Sequence, residues 1–275
     1  MKIAVLITCH NRKEKTLACL ENFYCQSDKR EEQFDCFLVD DGSTDGTSEE
    51  VKNRFSKTKV VLGDGNLFWN RGMILAWETA KSAGEYDGYL WLNDDTLFVE
   101  GGLLVLMDAI YKYPNSIIVG TICSDKDTTR ITYGGYDSHY HRVVPQEGVA
   151  ECFTINGNIA FVPNTVCDKV GVLDKYYRHS KGDFDYGIRA SKAGFKCYAT
   201  TVIGTCNRNG EYVKWMDKKY PFTQRLKILY SPLGNNPFEA YHVLKLTSYR
   251  HAITTFVYLH FKAVFPSLFP NRKTY

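Results

Sequence analysis

The 275-residue sequence predicts an α/β fold: a mostly parallel, Rossmann-like sheet with helices on both faces. Three observations lead there. Short β-rich runs alternate with stretches of helical length through the first 125 residues, and that alternation builds parallel sheets. Polar clusters close the first, second and fourth runs, at the carboxyl edge where such sheets bind ligands. A composition of 44% hydrophobic and 24% charged residues supplies a large core.

In chain order, "MKIAVLIT" turns polar at "CHNRKEK" too soon for a signal peptide and reads as the first strand. "KEKTLACLENFYCQ" is the first helix, "FDCFLVD" the second strand, and "GTSEEVKNRF" the next helix. "KVVL", "GYLWLN" and "SIIVGTI" continue the strands, separated by the helical "NRGMILAWETAKSAG" and "GGLLVLMDAIYKY". Between Ile131 and Val162, Gly and Pro punctuate short runs, so hairpins replace the alternation. "DFDYGIRASKAG" is again helical, with Gly194 as its C-cap, and "FKCYATTVIGT" is a strand. The expected divisions are residues 1–125, 126–215 and 216–275.

From Pro221 onward aromatic, aliphatic and basic residues mix. The uncharged run between Arg250 and Lys262 is shorter than the ~20 residues of a membrane span. Two readings stay open for this segment: helices packed on the body, or a basic amphipathic surface in peripheral contact with a membrane. A net charge of +3 without basic and aromatic interleaving excludes nucleic acid as a partner. Nine cysteines without a CxxC pair argue against a disulfide framework and fit a reducing cytoplasm.

Three acidic clusters invite chemistry. Asp40 and Asp41 in "LVDDGSTDGT" belong to a turn and helix cap, yet Asp40 still lies within the apolar run, where a carboxylate needs donors such as a nucleobase N–H or a ribose hydroxyl. Asp94 and Asp95 in "LNDDT" either cap the next helix or share a divalent cation, magnesium or manganese, that bridges a diphosphate, with Asn93 adding a neutral group. In "GDFDYGIRASKAGF", Arg189 stands one turn after Asp185 and can pair with it. Asp183 is then either an ordinary first-turn acid, ionised by the helix dipole, or a general base.

Taken together, "AVLITCHNR", "LVDDGSTDGT", "LNDDT", "INGNIAFVP", "VGVLDKYY" and "GDFDYGIRASKAGF" resemble, in order and spacing, the family 2 glycosyltransferases of GT-A fold, over roughly residues 3 to 205. The resemblance implies inverting transfer of a sugar from a nucleotide-diphospho-sugar, UDP- or dTDP-linked, to a glycan or lipid-linked glycan. It implies that Thr8, Asn11 and Arg12 line the nucleotide pocket, that Asp40, beside Asp41, meets the base or ribose, and that Arg71 closes over the nucleotide. Asp95 would ligate Mg or Mn with Asp94 and Asn93 alongside, and Asp183 would be the catalytic base. Trp69, Asn156, Gly157 and Asp185 would belong to the sugar or acceptor pocket, with Asp185 as its structural acid. Trp69 can stack on a sugar or pack in the core.

The sequence departs from the family pattern at Asn93, where the family has an acid, at Gly182, where many relatives have Glu, and at "VIGTCNRNG", which lacks a His and leaves Asn207 or Arg208 to meet the diphosphate. These departures sustain a rival reading, a sugar-nucleotide-binding subunit without turnover. A haloacid-dehalogenase phosphatase fails because the residue two before Asp95 is Asn93 rather than a nucleophilic Asp. A nicotinamide-dependent dehydrogenase fails because no GxGxxG follows the first strand.

Overall fold

Strand β1 (Lys2–Cys9) is buried along almost its whole length and lies inside the main sheet, between β2 (Gln33–Asp40) and β4 (Gly88–Leu92). A computed structural model describes residues 1–207 and 213–269. Side chains of β1 alternate between two cores, as the period of a strand requires. Ile3, Val5 and Ile7 meet Leu17, Leu20 and Phe23 of α1 (Lys13–Ser27) and Leu103, Leu106 and Ile110 of α4 (Gly102–Lys112). Ala4 and Leu6 face Met73, Ala76 and Trp77 of α3 (Phe68–Ala83) and Tyr186 of α6 (Gly182–Lys192). Helices therefore cover both faces.

The strand order is β10-β13-β6-β12-β4-β1-β2-β3, where β3 is Thr58–Leu62, β6 Ile117–Cys123, β10 Val149–Cys152, β12 Ile159–Pro163 and β13 Cys197–Thr205. β1 pairs in parallel with β2 and β4, β2 with β3, and β6 with β13. In the interior of the sheet β12 is antiparallel to both β4 and β6 and separates the fourth and fifth strands of the simple alternation, while at the far side β10 and the short β5 (Leu97–Phe98) run antiparallel to β13. The five residues of β12 are all buried, so this apolar run needs an interior slot rather than the edge of a hairpin. Hairpins do occupy the rest of that stretch: β7 (Ile131–Tyr133) returns along β6, and β8 (Gly135–Tyr136) joins β9 (Arg142–Val143) and β11 (Thr154–Ile155) in a small second sheet.

Helix α6 stops where the sequence expects it. Phe195 N–H donates to the Ala190 carbonyl and Gly194 N–H to Ser191, and Gly194 takes the left-handed φ of +90°. The C-terminal segment folds as α7 (Phe222–Leu229), α8 (Pro237–Leu244) and α9 (Tyr249–Val264). Leu229, Ala240, Leu259 and Ala263 form a small core with Trp215 and Met216. Val243 of α8 packs on Tyr177 and Ile188, so the segment is also fastened to the body. Among the described residues no helix is long and apolar enough to cross a membrane.

Candidate active site

The carboxyl ends of β1, β2 and β4 and the amino end of β12 lie at one edge of the sheet, and the polar clusters of the sequence gather there. The loop Asn156–Asn158, which leads into β12, joins two of them. Asn93 N–H donates to the Asn158 carbonyl at 2.9 Å. Gly157 N–H donates to Asp183 Oδ2 at 3.0 Å, and the Asn156 amide reaches the same oxygen at 3.4 Å. Trp69 Nε1 donates to Asn93 Oδ1 at 2.7 Å, and its ring lies over Gly157, where a Cβ would come within 2.5 Å of it. Position 157 therefore admits only glycine without displacing Trp69.

Asp183 stands at the start of α6, half-buried. Its Oδ1 accepts from Phe184 N–H at 2.9 Å. Burial raises its pKa, and the donors from Gly157, Phe184 and Asn156 only partly offset that, so desolvation outweighs the helix dipole. The Asn156 Oδ1 is buried beside it without a hydrogen-bond partner among the described residues. Gly182, where many relatives carry Glu, lies so close to Asn70 that a Cβ would stand 1.7 Å from its Oδ1. Asn70 cannot retreat, because its Nδ2 donates to the carbonyls of Asp174 at 2.9 Å and Tyr177 at 3.0 Å.

Asp185 is buried away from this edge. Arg189 Nε meets its Oδ2 at 2.6 Å and the Tyr177 hydroxyl its Oδ1 at 3.1 Å, while the same guanidinium holds the carbonyls of Val170 and Val172. The ion pair expected from the spacing is present. Both Asp185 oxygens are held by structural partners. Asp185, Asp174 and His242 bring ligand atoms within 4.8 Å of one another, but Arg189 already supplies the charge that Asp185 needs. We read this cluster as a strut, with His242 Nε2 on Asp174 Oδ2 at 3.1 Å and Tyr176 stacked on the imidazole.

Most of the other residues expected at the pocket are tied to their own loops. Asp40 receives the Ser43 N–H at 2.9 Å and the Ser48 hydroxyl, donors from its own turn and the helix that follows. Asp41 receives Gly65 N–H at 2.8 Å and Phe68 N–H at 2.9 Å, which pins the loop before α3. Thr8 lies beneath that helix against Gly72 and is 8% exposed. Asn11 uses its Oδ1 on Thr44 N–H at 2.8 Å and its own N–H on Ser43, a clasp between the first two loops. Arg71 is exposed in the first turn of α3, at the same edge, and makes no ion pair among the described residues.

Arg12 reaches the acidic pair beyond the end of β4. Its guanidinium meets Asp94 Oδ1 at 3.0 Å and also contacts Asp95 Oδ2, so a tethered cation serves the adjacent carboxylates. Burial still pushes Asp94 up to about 7. One guanidinium shared by two carboxylates leaves negative charge over, and such a pair suits a hard cation such as Mg or Mn that keeps waters and substrate phosphates as further ligands. Asn93 is a poor ligand here, since Trp69 occupies its oxygen. Cys206 lies in the stretch that lacks the family's His, and burial, reinforced by Asp95, pushes its thiol up to about 12, too high for a ready thiolate. Asn207 takes a hydrogen bond from Ser124, and Arg208 lies outside the described residues. Sequence reasoning missed His10, whose Nδ1 lies 2.6 Å from the Asp41 carbonyl, and the partners Ser48 and Asn158; of these only Ser48, in a turn-and-cap pattern, carried a legible signal.

A family model described as "Glycosyl transferase family 2" matches residues 4–164. An "N-acetylglucosaminyl-diphospho-decaprenol L-rhamnosyltransferase" of Mycobacterium tuberculosis is 25% identical over an aligned length of 189, which covers 58% of this chain. The chain spans 61% of the length of the curated relatives it matches. Among solved structures, S. aureus TarS 1-349 in complex with UDP-GlcNAc aligns with a TM-score of 0.60 at 14% identity, covering 96% of this chain and 73% of that one. Mannosyltransferase PcManGT from Pyrobaculum calidifontis, in complex with GDP-Man and Mn2+, aligns at 0.57 and 14%, covering 96% and 86%. At these identities the structural likeness establishes the fold.

Proposed function

Because the chain belongs to glycosyl transferase family 2 and has its GT-A fold, we propose that it transfers a sugar, with inversion, from a nucleotide-diphospho-sugar to a hydroxyl of a glycan or lipid-linked glycan. One observation carries the reading: Asp183 presents a carboxylate of raised basicity at the same sheet edge as Asp94 and Asp95, fixed by backbone donors across the Asn156–Asn158 loop. UDP- and dTDP-sugars are the favoured donors. The setting we propose is the assembly of bacterial surface polysaccharide, at the inner face of the cell membrane. The rhamnosyltransferase relative, whose name specifies a lipid-linked sugar, supports that class of acceptor.

In this mechanism Asp183 Oδ2 or Oδ1 accepts the proton of the acceptor hydroxyl as its oxygen forms the bond to the anomeric carbon. The bond from that carbon to the diphosphate breaks on the opposite face, and its electron pair leaves with the diphosphate. Burial helps by raising the proton affinity of the base, and the Gly157 and Phe184 N–H groups hold it in one orientation. Trp69, fixed by Asn93 and Gly157, offers a flat apolar wall for the sugar. Arg71 supplies a positive charge at the sheet edge for the phosphates. A divalent metal, held by Asp95 with Asp94, would supply charge that stabilises the departing diphosphate.

The test is a thermal-shift screen of UDP-, dTDP-, GDP- and CMP-sugars with and without manganese. A ligand at about 100 times its Kd stabilises the folded state by about 2.7 kcal/mol. That corresponds to roughly 5–10 °C for a chain of this size. One nucleotide should stand out, more so with metal; no shift from any of them would refute the proposal.

A further inference from the structure

The outward side of α9 is apolar where a helix facing water is ordinarily charged. Tyr249, Ile253, Val257, Phe261 and Val264 are each 44% to 66% exposed. At about 100° per residue they fall within an arc of about 120°, apart from the side on which Ala252, Leu259 and Ala263 are buried. Phe265 and Leu268 continue this surface beyond the helix, at 49% and 67% exposure. Ser248 caps the helix by accepting from His251 N–H, so the face is presented on a well-formed helix.

The surrounding charge identifies the occupant. No acid occurs between Tyr249 and Val264, and Arg250 falls within the apolar arc. Across residues 213–269 eight lysines and arginines stand against two acids, Asp217 and Glu239; with Arg225 and Glu239 buried, seven basic groups and one acid remain. A second copy would bring this positive surface against its own like. An anionic lipid surface offers phosphates to the basic groups and an acyl boundary to the apolar ones.

We infer that α9 lies flat on an anionic lipid surface, with Ile253, Val257 and Phe261 entering the acyl boundary and Arg250 at the phosphates. The consequence for the site follows from how the segment is attached. Arg178 Nη2 donates to the Tyr230 carbonyl at 2.8 Å and His242 meets Asp174, so α7 and α8 are fastened to the stretch that leads into Asp183. Docking α9 therefore holds the base near a lipid surface, which deepens the proposed lipid-linked acceptor and rests on that reading for its purpose.

The experiment is sedimentation of the full-length protein with vesicles of equal parts phosphatidylglycerol and phosphatidylcholine, and with phosphatidylcholine alone. Binding is expected to the first and not the second. Ile253→Asp and Val257→Asp should each weaken it about tenfold or more, by removing apolar burial. Arg250→Gln should weaken it about fivefold. All three positions are exposed, so the variants should melt with the parent protein and bind nucleotide-sugar as it does. Absence of sedimentation with either vesicle, equal sedimentation with both, or variants that sediment like the parent would overturn the inference. So would a dimer that the variants dissociate without any lipid binding. Vesicle binding without a nucleotide response would leave this inference standing and sink the transferase reading instead.

Discussion

Replacing Asp183 with Asn, and Asp185 with Asn in a separate chain, should produce losses in two different measurements, although the acids are two residues apart on one helix. Asp183 accepts from Gly157 and Phe184 through its two oxygens. Asn keeps one acceptor and turns an NH2 toward the other donor, so the side chain fits but takes no proton. A general base is worth roughly 10²–10⁴ in rate. The barrier therefore rises by about 3–5 kcal/mol, read as kcat at saturating donor. Nucleotide-sugar affinity by calorimetry should stay within a few-fold. The parent rate should fall as pH drops through the raised pKa of Asp183, above the ordinary carboxylate range, and Asp183→Asn should lose that acid limb.

Asp185 is 1% exposed, and its loss leaves the Arg189 guanidinium without a counter-charge. Breaking a buried pair costs ~3–5 kcal/mol. Arg189 keeps 25% of its side chain in water, which favours the lower end, about 3 kcal/mol, and at roughly 2–3 °C per kcal/mol the melting point should drop about 6–9 °C. The folded fraction should turn over at nearly the parent rate. Full transfer by Asp183→Asn, or unchanged melting with lost transfer in Asp185→Asn, would refute the division of roles.

Two further outcomes follow from charge. Arg12→Ala removes the guanidinium shared by Asp94 and Asp95, and since Arg12 keeps 30% of its side chain in water, stability at neutral pH should fall by about 3 kcal/mol or less, with manganese restoring more of it than it adds to the parent; a variant indifferent to manganese in a thermal melt would count against the metal reading. Glu32 is held to about 2 by Arg30, with Tyr111 adding its hydroxyl, against 4.5 for the unperturbed group. Its contribution is thus present above pH 4.5 and lost as pH falls through 2, and after discounting for solvent, Glu32→Gln should lose roughly 1–2 kcal/mol at neutral pH. Urea unfolding at both ends of that window checks it, and a gap independent of pH would contradict it.

The first half of the fold was legible because each of its strands is an apolar run closed by a polar cluster, and because the helices carry period and caps. The Asp185–Arg189 pair and the Gly194 cap were legible for the same reason, being local. Asp40 shows how far a sound rule reaches. Its buried carboxylate does need hydrogen bonds, but Ser43 and Ser48, three and eight residues away, provide them. Arg12 shows the limit more plainly, since nothing at positions 10 to 14 announces a contact with residues more than eighty positions later.

The one strand that broke the expected alternation is also what assembles the site. Had the run after the hairpins joined the sheet in parallel, its start would lie at the amino edge, and the loop before it would be a sheet's height from Asn93. Because β12 runs antiparallel, Ile159 pairs with Leu92, and the Asn156–Asn158 loop falls beside the end of β4. From there Asn158 holds Asn93 while Gly157 holds Asp183. The bare Cα of Gly157 lets Trp69 close over the same loop. A sequence pattern reports which residues are apolar and where turns fall, but the direction in which a buried strand enters a sheet is settled by the contacts on both its flanks. Here that direction separates three scattered motifs from a single site.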